Sequence, residues 1–417
     1  MTSRIYYTDP YCRRFEASVT KAFVHDGRPA ALLDRTAFYP TSGGQPFDTG
    51  KLFEGDGAGK AGKAGEAGGV SAIEVVETID VNDDVVHILS APVTEGAMVG
   101  AEIDWTRRFD HMQQHTGQHL LSAAFDRLFE NRTVSFHMGS DASTIDLQRE
   151  ASWEQIARAE GEANRVVWEN REVAIRFVTS QHAAALPLRK EPAREGTLRL
   201  IEVQDFDLSA CGGTHVSRTG AIGSLVVTAA EKFKGGTRVT FAAGTRAIRA
   251  FQSLREAVAG SVRLLSVLPR ELPVAIERMQ AETKDLRRTL RRFQEALAAH
   301  EGARLIGACE VGRGAALVIV EALDGWDVNG LKAIATHVTA QANAVVALFS
   351  TESPHAVVIA RSPGMAVDAS AVLGALIERF GGRGGGKADL AQGGGLTTDV
   401  AEIATATRRL LGPLSLS

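Results

Sequence analysis

The chain has 417 residues, of which 44% are hydrophobic, a formal net charge of −4 and three cysteines. That length exceeds one ordinary core and predicts two to four domains. The mild negative charge excludes a uniformly basic nucleic-acid binder, so phosphate contacts must come from local patches. Cys12, Cys211 and Cys309 are scattered and odd in number, which argues against a disulfide scaffold and for a reducing compartment. The N-terminal stretch MTSRIYYTDPYCRRF has no apolar signal core, and no run reaches the ~18 apolar residues of a membrane span. A cytoplasmic, non-membrane protein is expected.

In chain order, ASVTKAFV, AALLDRT and FYPTSGGQPFDTG read as short strands and turns. EGDGAGKAGKAGEAGG, residues 54–69, is nearly all glycine, alanine and charge; it has no apolar area to bury and reads as a disordered insertion. VSAIEVVETI and VVHILS return to strand character, so residues 1–100 form a small β-rich module. At DHMQQHTGQHLLSAAFDRLF the period turns helical, with Leu120, Leu121, Ala124, Phe125 and Leu128 at three- and four-residue spacings. TVSFHMGSDASTIDL reads as a hairpin, 152–170 as a helix and VAIRFVT as a strand. The strand-and-turn stretch from Leu198 to Gly244 then completes an α+β domain over residues 101–250.

Residues 251–305 read as a helical linker. Within it Ile276, Met279, Thr283, Leu286, Leu290, Phe293 and Leu297 alternate spacings of three and four, a heptad stripe with Arg and Lys on the other faces. Two readings fit: a helical hairpin packed on a neighbouring domain, or a self-pairing coiled coil that makes a homodimer. Over 306–417, the buried-strand runs ALVIVEAL, AVVALFS and HAVVIA alternate with the amphipathic helices NGLKAIATHVTAQA and ASAVLGALIERF. That is an α/β globular domain, and it includes a glycine-rich loop, GGRGGGKADLAQGGG, at 381–395.

Two short motifs carry the chemistry. HTGQH places His115 and His119 on one helical face, within reach of one ion. His111 extends the series to i, i+4, i+8, but a helix turns ~80° further over eight residues, so all three are not expected to share an ion. CGGTH places Cys211 and His215 around Gly212 and Gly213, which permit a tight turn. Three imidazoles and a thiolate form a tetrahedral N/S set that favours Zn²⁺ over Mg²⁺ or Ca²⁺, one ion per chain. Four protein ligands usually mark a structural site, whereas a catalytic zinc keeps an open position. Either His215 is a weak or displaced ligand, or the ion mainly positions the substrate.

HTGQHLLSAAF, followed about 90 residues later by CGGTHVSRTGAIG, resembles the editing domain of alanyl-tRNA synthetase and its free-standing AlaX relatives. FYPTSGGQPFDTG resembles the glycine-rich segment of the small β-barrel that precedes the editing core in that family. RVTFAAG resembles the strand that closes the core, and GGRGGGKADLAQGGG the signature of the synthetase's C-terminal (C-Ala) domain. A synthetase begins with an aminoacylation domain and a tRNA-recognition region. Here the barrel-like segment starts at residue 1, so the long AlaX form is the expected match. The resemblance implies a multidomain α+β fold: a small N-terminal β-barrel, an α+β zinc-binding editing core, a helical or coiled-coil linker and a C-terminal α/β domain. It also implies ATP-independent trans-editing, the hydrolysis of tRNA(Ala) mischarged with serine or glycine. A pocket shaped for alanine does not exclude glycine and rejects serine poorly, so a second, hydrolytic site restores fidelity.

The bond to be cut is an aminoacyl ester, for which a positioned water and a polarised carbonyl suffice. HTGQH lacks the glutamate of HExxH, which disfavours a peptidase. Thr116 and Gln118 neighbour the ligands. Ser135 and His137, in SFHMG, occupy the place of the family's pocket residues and are candidates for sensing the serine hydroxyl. Gly43, Gly44 and Gln45 either approach the acceptor end through exposed backbone or form a plain β-turn. Lys232, Lys234 and Arg238 make a basic cluster suited to acceptor-stem phosphates. Arg383 and Lys387 are candidates for tRNA contact farther from the acceptor end, through backbone and shape. The glycine-rich loop lacks the GK[ST] ending of a P-loop. Two other functions compete: a non-catalytic tRNA-binding protein with a structural zinc, and a zinc hydrolase of small esters or peptides.

Overall fold

The computed structural model describes residues 2–54, 72–189, 196–309 and 316–412, so the expected insertion lies, from residue 55 onward, outside the described residues. The chain divides into two units, Met1–Ser261 and Val262–Ser417.

The first unit opens with β1 (Ser3–Arg4), β2 (Arg14–His25), β3 (Arg28–Leu33), β4 (Arg35–Thr36), β5 (Gly50–Glu54), β6 (Ala72–Val81), β7 (Asp84–Leu89) and β8 (Met98–Ile103). β1 pairs with β4 in parallel, and the six longer strands close into a barrel in the order β2-β3-β7-β6-β5-β8. Period-two alternation drives the closure: β8 sends Val99, Ala101 and Ile103 inward to meet Ala17 and Val19 of β2 and Ile73 and Val75 of β6. The β2–β3 turn sits on Asp26 and Gly27 and the β6–β7 turn on Asn82 and Asp83, all four at positive φ, the primed geometry that matches strand twist.

Helix α1 (Trp105–Phe129) follows, its first turn capped by Asp104, whose carboxylate accepts from the Arg107 N–H. Every residue from His111 to Phe125 is buried. The apolar spacing of LLSAAF predicts one covered face; the helix is instead covered all round, because α2 and a four-stranded sheet pack on it and the site-forming loops close over the rest. That sheet has the order β14-β15-β10-β9, from β9 (Thr133–Met138) and β10 (Ser143–Leu147), the expected hairpin, with β14 (Leu225–Phe233) and β15 (Gly236–Ala243). Helix α2 (Trp153–Trp168) starts on a capping box between Ser152 and Gln155. β11 (Val173–Thr179), β12 (Thr197–Val203) and β13 (Asp207–Ala210) form a three-stranded antiparallel sheet, with the short α3 (Ser180–Ala183) between its first two strands. α4 (Thr245–Leu265) follows β15.

The second unit holds α5 (Leu272–Ala308), β16 (Leu317–Leu323), α6 (Val328–Gln341), β17 (Ala344–Ser350), β18 (His355–Arg361), α7 (Ala369–Phe380), β19 (Arg383–Gly386), β20 (Leu390–Leu396) and α8 (Val400–Leu411). Its sheet runs β16-β17-β18-β20-β19, parallel only between β16 and β17, which α6 connects. All seven residues of β17 are buried. Val345, Ala347 and Phe349 meet α7 and α8, while Val346 and Leu348 meet α6 and the end of α5, which is why AVVALFS reads as an unbroken apolar run. The glycine-rich segment read as a loop is mainly a paired hairpin, β19 with β20, and exposes Arg383 and Lys387. On α5 the heptad stripe is open, from 37% exposure at Ile276 to 70% at Leu286.

One ion pair ties barrel to helix. Arg108, on the first turns of α1, is fully buried and its Nε donates to Asp48 Oδ2 at 2.9 Å; its other nitrogens donate to Asp48, to the Ala37 carbonyl and to the Pro10 carbonyl. Asp48 in turn accepts from the Tyr39 N–H at 2.7 Å, so it also pins the loop before β5. Removing one member leaves a desolvated charge. Arg108→Ala is therefore expected to lower unfolding stability by about 3–5 kcal/mol in a urea titration, and a loss under ~1 kcal/mol contradicts this role.

Candidate metal centre

His115 and His119 sit one turn apart on α1, and Cys211 and His215 sit in the turn after β13. One ligand atom from each of the four lies within 4.8 Å of the others. Cys211 Sγ is 3.4 Å from His115 Nε2 and 3.3 Å from His215 Nε2. Gly213 explains the CGG turn. A Cβ there would run into the His115 ring and come within 3.0 Å of Gln45 Oε1, so only glycine lets the two segments meet.

Each imidazole has its other nitrogen held by an acceptor. His115 Nδ1 donates to Gln45 Oε1 at 2.8 Å, and His119 Nδ1 to Asp207 Oδ2 at 2.9 Å. Thr116 Oγ1 donates to the Met112 carbonyl at 2.8 Å, so it accepts from His215 Nδ1 at 3.2 Å. With a proton on every Nδ1, every Nε2 keeps a bare lone pair, and the set of three nitrogens and a sulfur fits a tetrahedral ion such as Zn²⁺.

The partners are themselves fixed. Gln45 Oε1 also accepts from the Thr214 N–H at 3.1 Å, and Gln45 Nε2 donates to Thr214 Oγ1 at 2.8 Å. Arg189 binds both oxygens of Asp207, at 2.7 and 3.2 Å. Burial pushes the Asp207 carboxyl up, but Arg189 and His119 outweigh it and hold it well below the usual carboxylate range. Burial also raises the Cys211 thiol, but hydrogen bonding and nearby positive charge, the Gly213 N–H and the Arg199 guanidinium among them, overcome that and lower it. Arg199 donates to the carbonyls of Tyr7 and Cys211, at 2.9 and 2.6 Å. Asp207, Arg189 and Arg199 were not singled out from the sequence. A signal existed for the first: Asp207, Ser209 and Cys211 alternate along one strand face.

A cavity of about 180 Å³ opens on this cluster. His115, His119 and Cys211 line it together with Gly43, Gln118, Thr133, Ser135 and Arg189; His215 does not line it. Gly44 stands behind Gly43 at φ +84°, and a Cβ there would meet the Phe136 carbonyl oxygen at 2.7 Å. The other expected residues distribute as follows. Thr116 is buried against His215, and His137 is exposed and outside the cavity lining. Lys232 pairs with Glu150 at 3.0 Å, Arg238 with Asp146 at 2.7 Å, and Lys234 is exposed. His111 faces a separate cleft, as the helical rotation requires.

The fold and the buried N₃S cluster define a two-unit protein, with an α+β core whose four converging ligand atoms could hold a metal ion and an α/β companion unit. Residues 198–240, which contain Cys211 and His215, match the threonyl and alanyl tRNA synthetase second additional domain, and residues 316–412 match the DHHA1 domain. The chain is 30% identical over 409 residues to the alanyl-tRNA editing protein AlaX-L of Pyrococcus horikoshii, covering 94% of each chain. It is 33% identical over 414 residues to the alanine–tRNA ligase of Natronomonas pharaonis, of which it spans 42% of the length. The C-Ala domain from Aquifex aeolicus alanyl-tRNA synthetase matches 23% of the chain at 26% identity, with a TM-score of 0.21. The chain belongs to the AlaX-L family of alanyl-tRNA editing proteins.

Asp207→Asn keeps the shape but weakens the acceptor for His119 Nδ1–H. It is expected to lower affinity for added Zn²⁺ about 10- to 100-fold in a chelator competition, and unchanged affinity contradicts the orienting role. Burial, then the Arg199 charge, pushes the His115 pKa down to about 3, and burial above all holds His215 well below its ordinary value. A histidine depressed on folding stabilises above the unfolded pKa of ~6.5, and that stability is lost as pH falls toward the folded value. The metal-stripped protein is therefore expected to lose up to ~1.4 kcal/mol per pH unit per histidine below pH ~6.5. Flat urea-unfolding stability from pH 6.5 to 4 contradicts it.

Proposed function

We propose that this chain is a trans-editing hydrolase that deacylates tRNA(Ala) mischarged with serine or with glycine, at one zinc ion held by His115, His119, Cys211 and His215. The observation that carries the reading is the set of three occupied Nδ1 atoms, which aims three Nε2 lone pairs at one thiolate. Family membership supports the tRNA(Ala) editing class.

A zinc ion in this cluster supplies Lewis acidity toward an oxygen in the cavity. His215, closed off from the cavity, anchors; His115, His119 and Cys211 form the cavity's inner wall. The cavity has room for about six waters, which suits a glycyl or seryl group with an attacking water and excludes large side chains. Its wall offers Gln118, Thr133 and Ser135 to the serine hydroxyl. Gln118 Nε2 and Thr133 Oγ1 already share Ser122 Oγ, at 2.8 and 2.7 Å, which holds both in place. A site built to bond a hydroxyl favours the seryl group over the alanyl group; glycine, which has no hydroxyl to bond, is proposed to enter on its small size. Among the described residues that line the cavity there is no carboxylate. That favours an activated ester, which needs less proton transfer to its leaving group than a peptide does.

Lys232, Lys234 and Arg238 are proposed to meet the acceptor stem and Arg383 and Lys387 a more distant part of the tRNA, without ATP and in the cytoplasm. Among the described residues no helix is long and apolar enough to cross a membrane. Self-pairing of the α5 stripe with a second copy is also proposed.

The test is to incubate the purified protein with Ser-, Gly- and Ala-charged tRNA(Ala) and follow release of each amino acid. Release of serine and glycine with alanine retained is expected, and Cys211→Ala should slow release at least ~10²-fold. A wild-type protein that releases none, or a folded Cys211→Ala variant at full rate, overturns the reading.

A further inference from the structure

At the start of α1, next to the end of β9, lies a second and larger cleft of about 610 Å³. Its lining includes Trp105, Arg107, His111, Met138 and Arg249. His111 is 3% exposed, and its Nδ1 has no hydrogen-bond partner among the described residues. A buried, unbonded imidazole nitrogen on a cleft wall is costly unless a ligand meets it.

The charges point the same way. Arg246 is consumed by Asp110, at 2.6 Å, and Asp104 by the cap of α1. Arg107 has no ion-pair partner among the described residues; its Nε donates to the Phe47 carbonyl at 2.8 Å, and its guanidinium lies 5.0 Å over the Phe47 ring. Arg249 is exposed, and its guanidinium has no partner among the described residues. Two guanidinium groups and an unbonded imidazole beside a helix N-terminus make an anion site.

The position identifies the anion. Met138, on the cleft wall, donates its N–H to the Gly44 carbonyl at 3.1 Å, while Gly43 and Phe136 line the metal cavity. Phe136 of the cavity and Met138 of the cleft stand two residues apart on β9, so the two sites are neighbours and an RNA whose end enters one has backbone phosphates near the other. We propose that this cleft holds a backbone phosphodiester of the RNA whose 3′ end enters the metal site, with Arg107 and Arg249 meeting its charge and His111 Nδ1–H its oxygen. The inference rests on the editing reading above and adds a contact that this reading does not contain.

The test uses the full chain and an acceptor-stem RNA duplex with a 3′-CCA end, with binding read by fluorescence anisotropy across a salt series. Loss of one phosphate contact lowers the log–log salt slope by about one and weakens binding about eightfold at 0.1 M salt. Arg249→Ala is expected to do both, and Arg249→Glu to do more; the residue is exposed, so folding is not at stake. If the wild type binds the duplex and both variants match it in affinity and slope, the cleft is not an RNA contact. If the variants lose calorimetric binding of inorganic phosphate but keep the duplex, the site takes a free phosphate and the proposal fails. If the wild type neither binds the duplex nor deacylates charged tRNA, the editing reading falls and takes this inference with it.

Discussion

Three hydrogen bonds decide what this protein can do. Gln45, Asp207 and Thr116 each accept from an imidazole Nδ1–H, and each thereby fixes both a tautomer and a ring orientation. Without them the same four residues would be two histidines on a helix and a thiol and an imidazole on a turn, free to point anywhere. With them, the lone pairs converge before any ion arrives. Little ordering is left for binding to impose, which is how a buried cluster holds a metal tightly.

That convergence needs a helix whose middle is inside the protein. Polar residues such as His115, Gln118 and His119 belong on a solvated face by ordinary patterning. Here they are buried because the loop before β5, the turn after β13 and the hairpin β9–β10 cover them. The Arg108–Asp48 pair holds the barrel against the start of the same helix. The barrel therefore serves the site at one remove: it delivers Gln45 to His115 and Gly43 to the cavity wall.

Much of this was legible in the sequence, and the boundary of legibility has a physical cause. HTGQH is readable because residues four apart share a helical face, and CGGTH because two glycines allow a turn tight enough to bring thiol and ring together. The buried run AVVALFS is a local signal of the same kind. Asp207, Arg189 and Arg199 were missed because their roles come from tertiary contacts, Asp207 meeting a histidine 88 positions away. Gln45 was flagged for its backbone, yet its side-chain oxygen does the orienting. The segment GGRGGGKADLAQGGG read as a loop because glycine disfavours strands in isolation, but pairing along β20 imposes the extended form. The stripe on α5 was plain as a pattern; a pattern alone does not name what covers it.

The most direct measurement is of the ion itself. Metal-stripped protein would be titrated with Co²⁺, whose spectrum reports coordination number and thiolate ligation, and then with Zn²⁺ to displace it. The account predicts saturation at one ion per chain, a tetrahedral spectrum with a single thiolate-to-cobalt charge-transfer band, and loss of that band when Cys211 is replaced by serine. A chain that takes up no ion, or takes one up with no sulfur in its coordination shell, contradicts the account at its base.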